Sequence, residues 1–232
     1  MVAVFFSKIK QRIIDVILSI YLFNEQRGFR YLDQLADIFA TKYPQQKEML
    51  QSIRKHAADE RKHYLLFCDY FCHRGCMPYA TNAWCGYCDQ IVKLNFGVFL
   101  DELSPLALIQ NDNDFFRLCR LIMITEKRGM KQVDVVLHHW LFCHDPALKN
   151  IFTIIQKDEP SHCFPYQAWL KHHRQSEESW REFFSDIYIN YSLMLWKLPW
   201  LVINPWLKTL TEFPSPVPKL SLNREPPPWS IC

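Results

Sequence analysis

Glycine is scarce in this chain, at five of 232 residues. None of the five forms a G-x-G pair and no Walker A run occurs. The common phosphate-cradling loops are therefore missing, and nucleotide-dependent chemistry has no support. An excess of one charge is missing too. The net charge is +3 and no basic stripe interleaved with aromatics stands out, so no nucleic-acid partner is expected. No strand-like alternation extends over a useful length. The opening run Met1-Val2-Ala3-Val4-Phe5-Phe6 reaches Lys8, Lys10 and Arg12 without a small-residue cleavage pattern, so no secretory signal is read. Nine cysteines make an odd count, and reduced thiols in a cytoplasmic compartment are the expectation.

What the chain does have is helical periodicity. Hydrophobic residues make up 49% and charged residues 22%, the balance of a folded chain long enough for one good core. Apolar residues recur at helical spacing from about Ser7 to Lys42, where Pro44 stops the run. A second segment runs from about Gln45 to His73 and ends at Gly75. A mixed stretch to Asn111 follows, with a shorter helix expected over Asp89–Leu103. A third long helix is expected from the Asn111–Asp114 capping cluster to about His144. A fourth should start after Asp145-Pro146, an N-cap followed by a first-turn proline, and reach about His173 with Pro160 and Pro165 inside it. A fifth covers about Ser176 to Leu198. The chain then divides into 1–204, a helical bundle with an appended C-terminal helix, and 205–232, a tail whose prolines cannot continue a helix. The class is all-α, with two short-looped hairpins joined by a long crossover between the second and third long helices.

A pattern of acids and histidines occurs twice. The first half reads Glu25-Gln26-Arg27-Gly28, then Asp59-Glu60-Arg61-Lys62-His63. The second reads Glu126-Lys127-Arg128-Gly129, then Asp158-Glu159-Pro160-Ser161-His162. E-x-R-G followed by D-E-x-x-H in each half is worth more than either motif alone. Each glutamate shares its helix face with apolar residues: Ile14, Leu18 and Phe29 near Glu25, Ile53, Tyr64 and Phe67 near Glu60, Leu118, Ile122 and Val133 near Glu126, and Ile151, Ile155 and Tyr166 near Glu159. Four carboxylates facing one apolar core would each cost roughly several kcal/mol if uncompensated, so either they hold protons or cations sit among them. Two divalent ions would balance the charge. A Glu and a His at i and i+3 point the same way and offer an oxygen and an imidazole to one site, a mix that suits iron or manganese.

These residues resemble the ligand set of the ferritin-like di-iron carboxylate superfamily, which takes one Glu from each of two helices and a Glu-x-x-His from each of two others. The D-E-x-x-H form is similar to that of ribonucleotide reductase small subunits, bacterial multicomponent monooxygenases and soluble acyl-carrier-protein desaturases. The resemblance implies a ferritin-like four-helix bundle holding two irons, with manganese an alternative in either position. It implies Glu25, Glu60, His63, Glu126, Glu159 and His162 as metal ligands, the glutamates carrying the metal-centred chemistry. Asp59 and Asp158 would each hydrogen-bond a ligand histidine across the bundle. The implied activity is O2-dependent oxidation, hydroxylation or desaturation, of an apolar substrate, with electrons from an external ferredoxin or reductase. The alternatives are a ferroxidase or peroxide-scavenging protein of iron homeostasis and a metal-free interaction bundle. Oligomeric state is not legible, and a dimer is compatible.

Several positions carry rival readings. Pro160 removes a backbone donor inside the motif and disfavours helical geometry at Glu159, so a kink, a π-bulge, or Asp158 as the ligand in place of Glu159 all stay open. Gly28 and Gly129 occupy the slot of the histidine on the other helices, leaving either space beside the metals or a close helix contact. Cys72, Cys76, Cys85 and Cys88 stand as a rival zinc site in the crossover. The aromatic segment 187–206, with Trp196, Trp200 and Trp206, suits either a helix packed on the bundle or a peripheral lipid contact.

Overall fold

The structure, a computed structural model, describes residues 2–177 and 179–214, with side chains from residue 6; the prolines at 216, 218 and 226–228 of the expected tail lie outside the described residues. Helix α1 (Val2–Lys42) is about 60 Å long at 1.5 Å per residue, and Pro44 ends the run it belongs to. Helix α2 (Lys47–His73) returns after a connection too short for anything but an antiparallel neighbour. The ring pairs Phe29–Tyr64 and Tyr21–Phe67 and the Asp15–Arg74 ion pair follow that direction down the hairpin. Gly75, at φ +62°, takes the left-handed position just past α2, where a side chain would be strained.

The crossover carries α3 (Tyr87–Phe96) and α4 (Pro105–Gln110). Helix α3 stops at Gly97, so the expected run to Leu103 is cut short, and α4 was not foreseen. Helix α5 (Asp112–His138) starts on an Asn111 side-chain cap as expected. It ends six residues before the expected His144. There the His139 ring accepts the Leu141 N–H, and the turn draws Leu141 and Phe142 into the core. Asp145 caps α6 (Pro146–Asp158) by accepting from the N–H groups of Ala147 and Leu148.

The expected fourth helix is two helices, α6 and α7 (Pro160–His172), meeting at Glu159. Glu159 itself keeps helical dihedrals (φ −48°, ψ −43°), so the break comes from the donor that Pro160 lacks and not from a turn of the chain. Helix α8 (Trp180–Ser192) passes through a π-helical turn, Leu193–Lys197, into α9 (Leu198–Ile203). The wider turn, closed by the Leu198 N–H on the Leu193 carbonyl, lets the chain continue helically through Pro199 instead of stopping before it. Among the described residues there is no strand, only an isolated bridge between Tyr79 and Thr209, and no helix is long and apolar enough to cross a membrane.

Helix α1 packs along α2, α5 packs along α6 and α7, and α2 meets both α6 and α7. Two apolar clusters stack along these helices. One gathers Leu35, Phe39, Ile53, Phe115, Trp169 and Leu170, the other Leu18, Phe29, Phe67, Val133, Phe152 and Ile155. The chain changes from one cluster to the other between Ala57 and Tyr64 on α2, between Met123 and Val133 on α5, and between Ile155 and Tyr166 on α6–α7. The buried acids and histidines occupy that seam.

The arginine of each E-x-R-G motif ties down an outer helix. Arg27 binds Asp89 of α3 through two hydrogen bonds of 2.5 and 2.9 Å, and Asp89 is fully buried. Arg128 grips Asp186 of α8, which also accepts from the Tyr87 hydroxyl of α3. Helix α8 is consequently inside out. Glu182, Ser185 and Asp186 face the protein beside Ile189, while Trp180, Phe183, Phe184 and Tyr188 are exposed. Arg128→Ala strands the Asp186 carboxylate and is expected to cost about 2–3 kcal/mol. Thermal denaturation should show Tm falling by roughly 5–10 °C, with little further loss in the Arg128→Ala/Asp186→Ala double variant.

Candidate metal centre

Seven titratable side chains converge on the seam, and none is more than 9% exposed. Glu25 comes from α1, His56, Glu60 and His63 from α2, Glu126 from α5, Glu159 from the α6–α7 junction and His162 from α7. Their donor atoms form two groups, each with all atoms within 4.8 Å of one another: Glu25, Glu60 and His63, then His56, Glu60, Glu126 and His162. Glu60 belongs to both. His63 Nδ1 lies 3.5 Å from Glu25 and 3.9 Å from Glu60, and His162 Nδ1 lies 3.3 Å from Glu126 and 3.5 Å from Glu60. Ligands about 2.0–2.2 Å from one ion stand roughly 3–4 Å apart, so these spacings accommodate a cation between them. Glu159 is at the edge, 3.8 Å from His162 Nδ1 and in neither group.

The outer nitrogens of the two motif histidines are held crosswise. His63 Nε2 meets Asp158 at 3.0 Å, and His162 Nε2 meets Asp59 at 3.3 Å. Lys62 bridges the two aspartates, 3.0 Å from Asp59 and 2.7 Å from Asp158, and Lys55 adds a 2.6 Å contact to Asp59. Burial would raise both aspartates, yet Lys55 and Lys62 hold Asp59 below the ordinary carboxylate range, and Lys62 and His63 do the same for Asp158. As fixed anions they accept a hydrogen bond from the Nε2–H of each histidine, which leaves Nδ1 facing inward. Asp158 is thus occupied outside the cluster, and Glu159 is the carboxylate of this pair that faces in.

His56 is the member that the repeat does not reveal. It lies four residues before Glu60 on the same face, but the corresponding position in the second half is Ile155, so no doubled motif marks it. Its Nδ1 is 3.1 Å from the Tyr166 hydroxyl, its Nε2 is 3.4 Å from Glu126 and 3.6 Å from Glu60, and its ring stacks on His162 at 4.1 Å.

Four buried atoms of this cluster have no hydrogen-bond partner: Glu25 Oε2, His56 Nε2, His63 Nδ1 and Glu159 Oε2. Four orphaned donors and acceptors at one point, with imidazole lone pairs aimed at carboxylate oxygens, are a pattern that bound cations would satisfy. The protein alone balances the charge with protons. Burial, with Glu60 nearby, pushes Glu25 well above its usual range, and burial beside Glu126 pushes Glu159 up to about 12. Burial acts against charge on His56, but Glu126 and Glu60 outweigh it and raise its pKa to about 10. His56 in turn keeps Glu60 and Glu126 below the ordinary range against the pull of burial. At neutral pH Glu159 and His56 therefore each carry a proton that a metal must displace, and Glu25 is shifted in the same direction. Loading with Mn(II) at pH 7 is expected to release at least about two protons per filled centre. Calorimetry in buffers of different ionisation enthalpy measures this; release of none would mean that ions bind elsewhere.

Of the two motif glycines, only Gly28 makes room for a carboxylate, since a side chain at Gly129 would meet Glu159 at ordinary contact distance. A Cβ on Gly28 would come within 3.1 Å of Glu60 Oε2, and one on Gly129 within 3.5 Å of Glu159 Oε2. Both line a cavity of about 130 Å³ onto which Glu25, Glu60, Glu126 and Glu159 open. The four crossover cysteines do not assemble: Cys72 is exposed, Cys85 packs with Val16 and Leu201, Cys88 lines the cavity, and no cysteine joins a metal-binding group among the described residues. No family model, curated protein or solved structure matches this chain.

Proposed function

We propose that this chain is a di-iron oxidase or oxygenase built on a ferritin-like four-helix bundle, using O2 to oxidise an apolar substrate. The observation that carries this reading is the crossed Asp–His pairing around a shared Glu60, which directs two imidazole Nδ1 atoms into a cluster of four buried carboxylates. Glu25, Glu60 and His63 would hold one ion and His56, Glu60, Glu126 and His162 the other, with Glu159 moving in from the edge. Two iron ions there would supply the electrons that reduce O2. The protein's own residues would share Glu60 between the two positions, the apolar clusters on either side would keep bulk water out, and Glu159 and His56 would give up their protons to solvent on loading and take them back when the ions leave. Further electrons would come from an external ferredoxin or reductase. The apolar cavity beside the carboxylates favours an organic substrate over iron storage.

The test is anaerobic reconstitution with Fe(II) followed by O2. About two irons per chain, with O2 uptake and a new near-ultraviolet absorption, is the expected result. Weak, non-stoichiometric iron would sink the metal centre itself. Stoichiometric iron that is turned over into a mineral in a very large assembly would move the assignment to iron homeostasis.

A further inference from the structure

Next to the carboxylate-lined cavity lies a larger one of about 500 Å³, within the range of small-molecule pockets. Its walls are mainly apolar, with Ile13, Ile17 and Ile20 from α1, Val135 and Val136 from α5 and Met194 from the π turn, and with Lys131, His139 and Asn190 as further polar lining. Tyr21, Asn24, Tyr87, Arg128 and Gln132 line both cavities, so only this collar separates them. Arg128 and Tyr87 are committed to Asp186, which leaves the Tyr21 hydroxyl and the Asn24 and Gln132 amides as the polar groups of the collar that a passing ligand would meet.

Both cavities follow the groove between α1 and α5, and the α1 stretch from Ile13 to Gly28 spans about 22 Å at 1.5 Å per residue. A sixteen-carbon zigzag with bonds of about 1.5 Å is roughly 19 Å long. The inner cavity, at about 130 Å³, has room for a few methylenes or at most one small ring. The outer groove leaves Val135 at 62% and Met194 at 54% exposure, an apolar surface that gains by being covered. The π turn bordering it is pinned to the crossover, since the buried Lys197 donates to the Trp84 carbonyl at 2.6 Å and to Gln90 Oε1 at 3.1 Å.

We propose that the two cavities together bind one long, linear aliphatic chain, threaded between α1 and α5 so that it passes Asn24 and Gln132 and ends beside the carboxylates at Gly28 and Gly129. For its chemistry this rests on the di-metal reading above; for its binding it rests on the groove alone.

The experiment titrates the full chain, metal-free and metal-loaded, with hexadecanoate, octanoate and hexadecanol by calorimetry. Saturable 1:1 binding of hexadecanoate, at least tenfold tighter than octanoate, is expected in both forms. Hexadecanol matching hexadecanoate assigns recognition to the chain, while a large preference for the acid adds a head-group contact to it. Val135→Trp and Met194→Trp, which fill the groove from its exposed side, should each weaken binding at least tenfold and leave metal content unchanged. Glu60→Ala should do the reverse, losing metal and keeping the ligand, so each claim can fail without the other. Absence of saturable binding, equal affinity for octanoate, or binding indifferent to both tryptophans overturns the proposal. So does concentration-dependent dimerisation abolished by Val135→Asp with no ligand bound, which would make the groove an interface between two copies.

Discussion

Glu60→Ala is expected to empty both metal positions at once, taking the chain from about two ions to fewer than about 0.3 by elemental analysis after desalting. Glu60 is the one carboxylate within reach of His63 on one side and of His56 and His162 on the other. Its loss removes the only member common to both groups, where loss of Glu25 or Glu126 should impair one position more than the other. The variant also leaves His56 with Glu126 as its sole close carboxylate, so circular dichroism must show the helices retained before metal loss is read as ligand loss. Glu159→Gln is the matched control. With its carboxyl protonated at neutral pH, the amide imitates the metal-free state, and metal-free stability should barely change while metal affinity falls. Full metal content in folded Glu60→Ala protein would remove the shared-ligand arrangement altogether.

The second large effect is on stability. An ion present at one hundred times its dissociation constant stabilises the folded state by about 2.7 kcal/mol. Two such ions should raise Tm by roughly 10–20 °C for a chain of this length. The dependence on pH should invert with loading. In the metal-free protein the folded-state pKa of His56, about 10, lies above its ordinary value of 6.5, because Glu126 and Glu60 outweigh burial. Its contribution is therefore fully present below pH 6.5 and is lost as pH rises through 10. Glu25 and Glu159, also raised, act in the same direction, because folding takes up protons that alkali withdraws. Glu60 and Glu126 are lowered, so their contribution is lost only in acid, as pH falls through their folded-state values. Metal-free Tm should thus fall from about pH 6.5 to 10, while metal affinity rises over the same interval. Denaturation scans with and without Mn(II) across that range measure both slopes. A metal-free Tm that climbs through it would show that the cluster does not hold its protons.

Much of the seam is legible before folding because its signal is local. Glu and His three residues apart must share a helix face, and the doubled motif marks two such pairs together with Glu25 and Glu126. The all-helical class follows from the same periodicity. Other features need partners distant in sequence. The arginines of E-x-R-G have no visible role until Asp89 and Asp186 arrive from α3 and α8. The polar face of α8 looks like its solvent face until those ion pairs turn it inward. The rival cysteine quartet is dense along the chain, yet its members part in space.

The sequence by itself determined that this protein is helical and which acids and histidines it turns toward its core, since both depend on spacings of three and four residues within single helices. Only the tertiary structure decided that His56 joins them, that Glu60 is shared, that Glu159 stands at the edge, and that an aliphatic groove leads up to the carboxylates. Those depend on distances between helices, set by packing and by polar contacts between residues far apart along the chain, 103 positions in the case of His162 and Asp59.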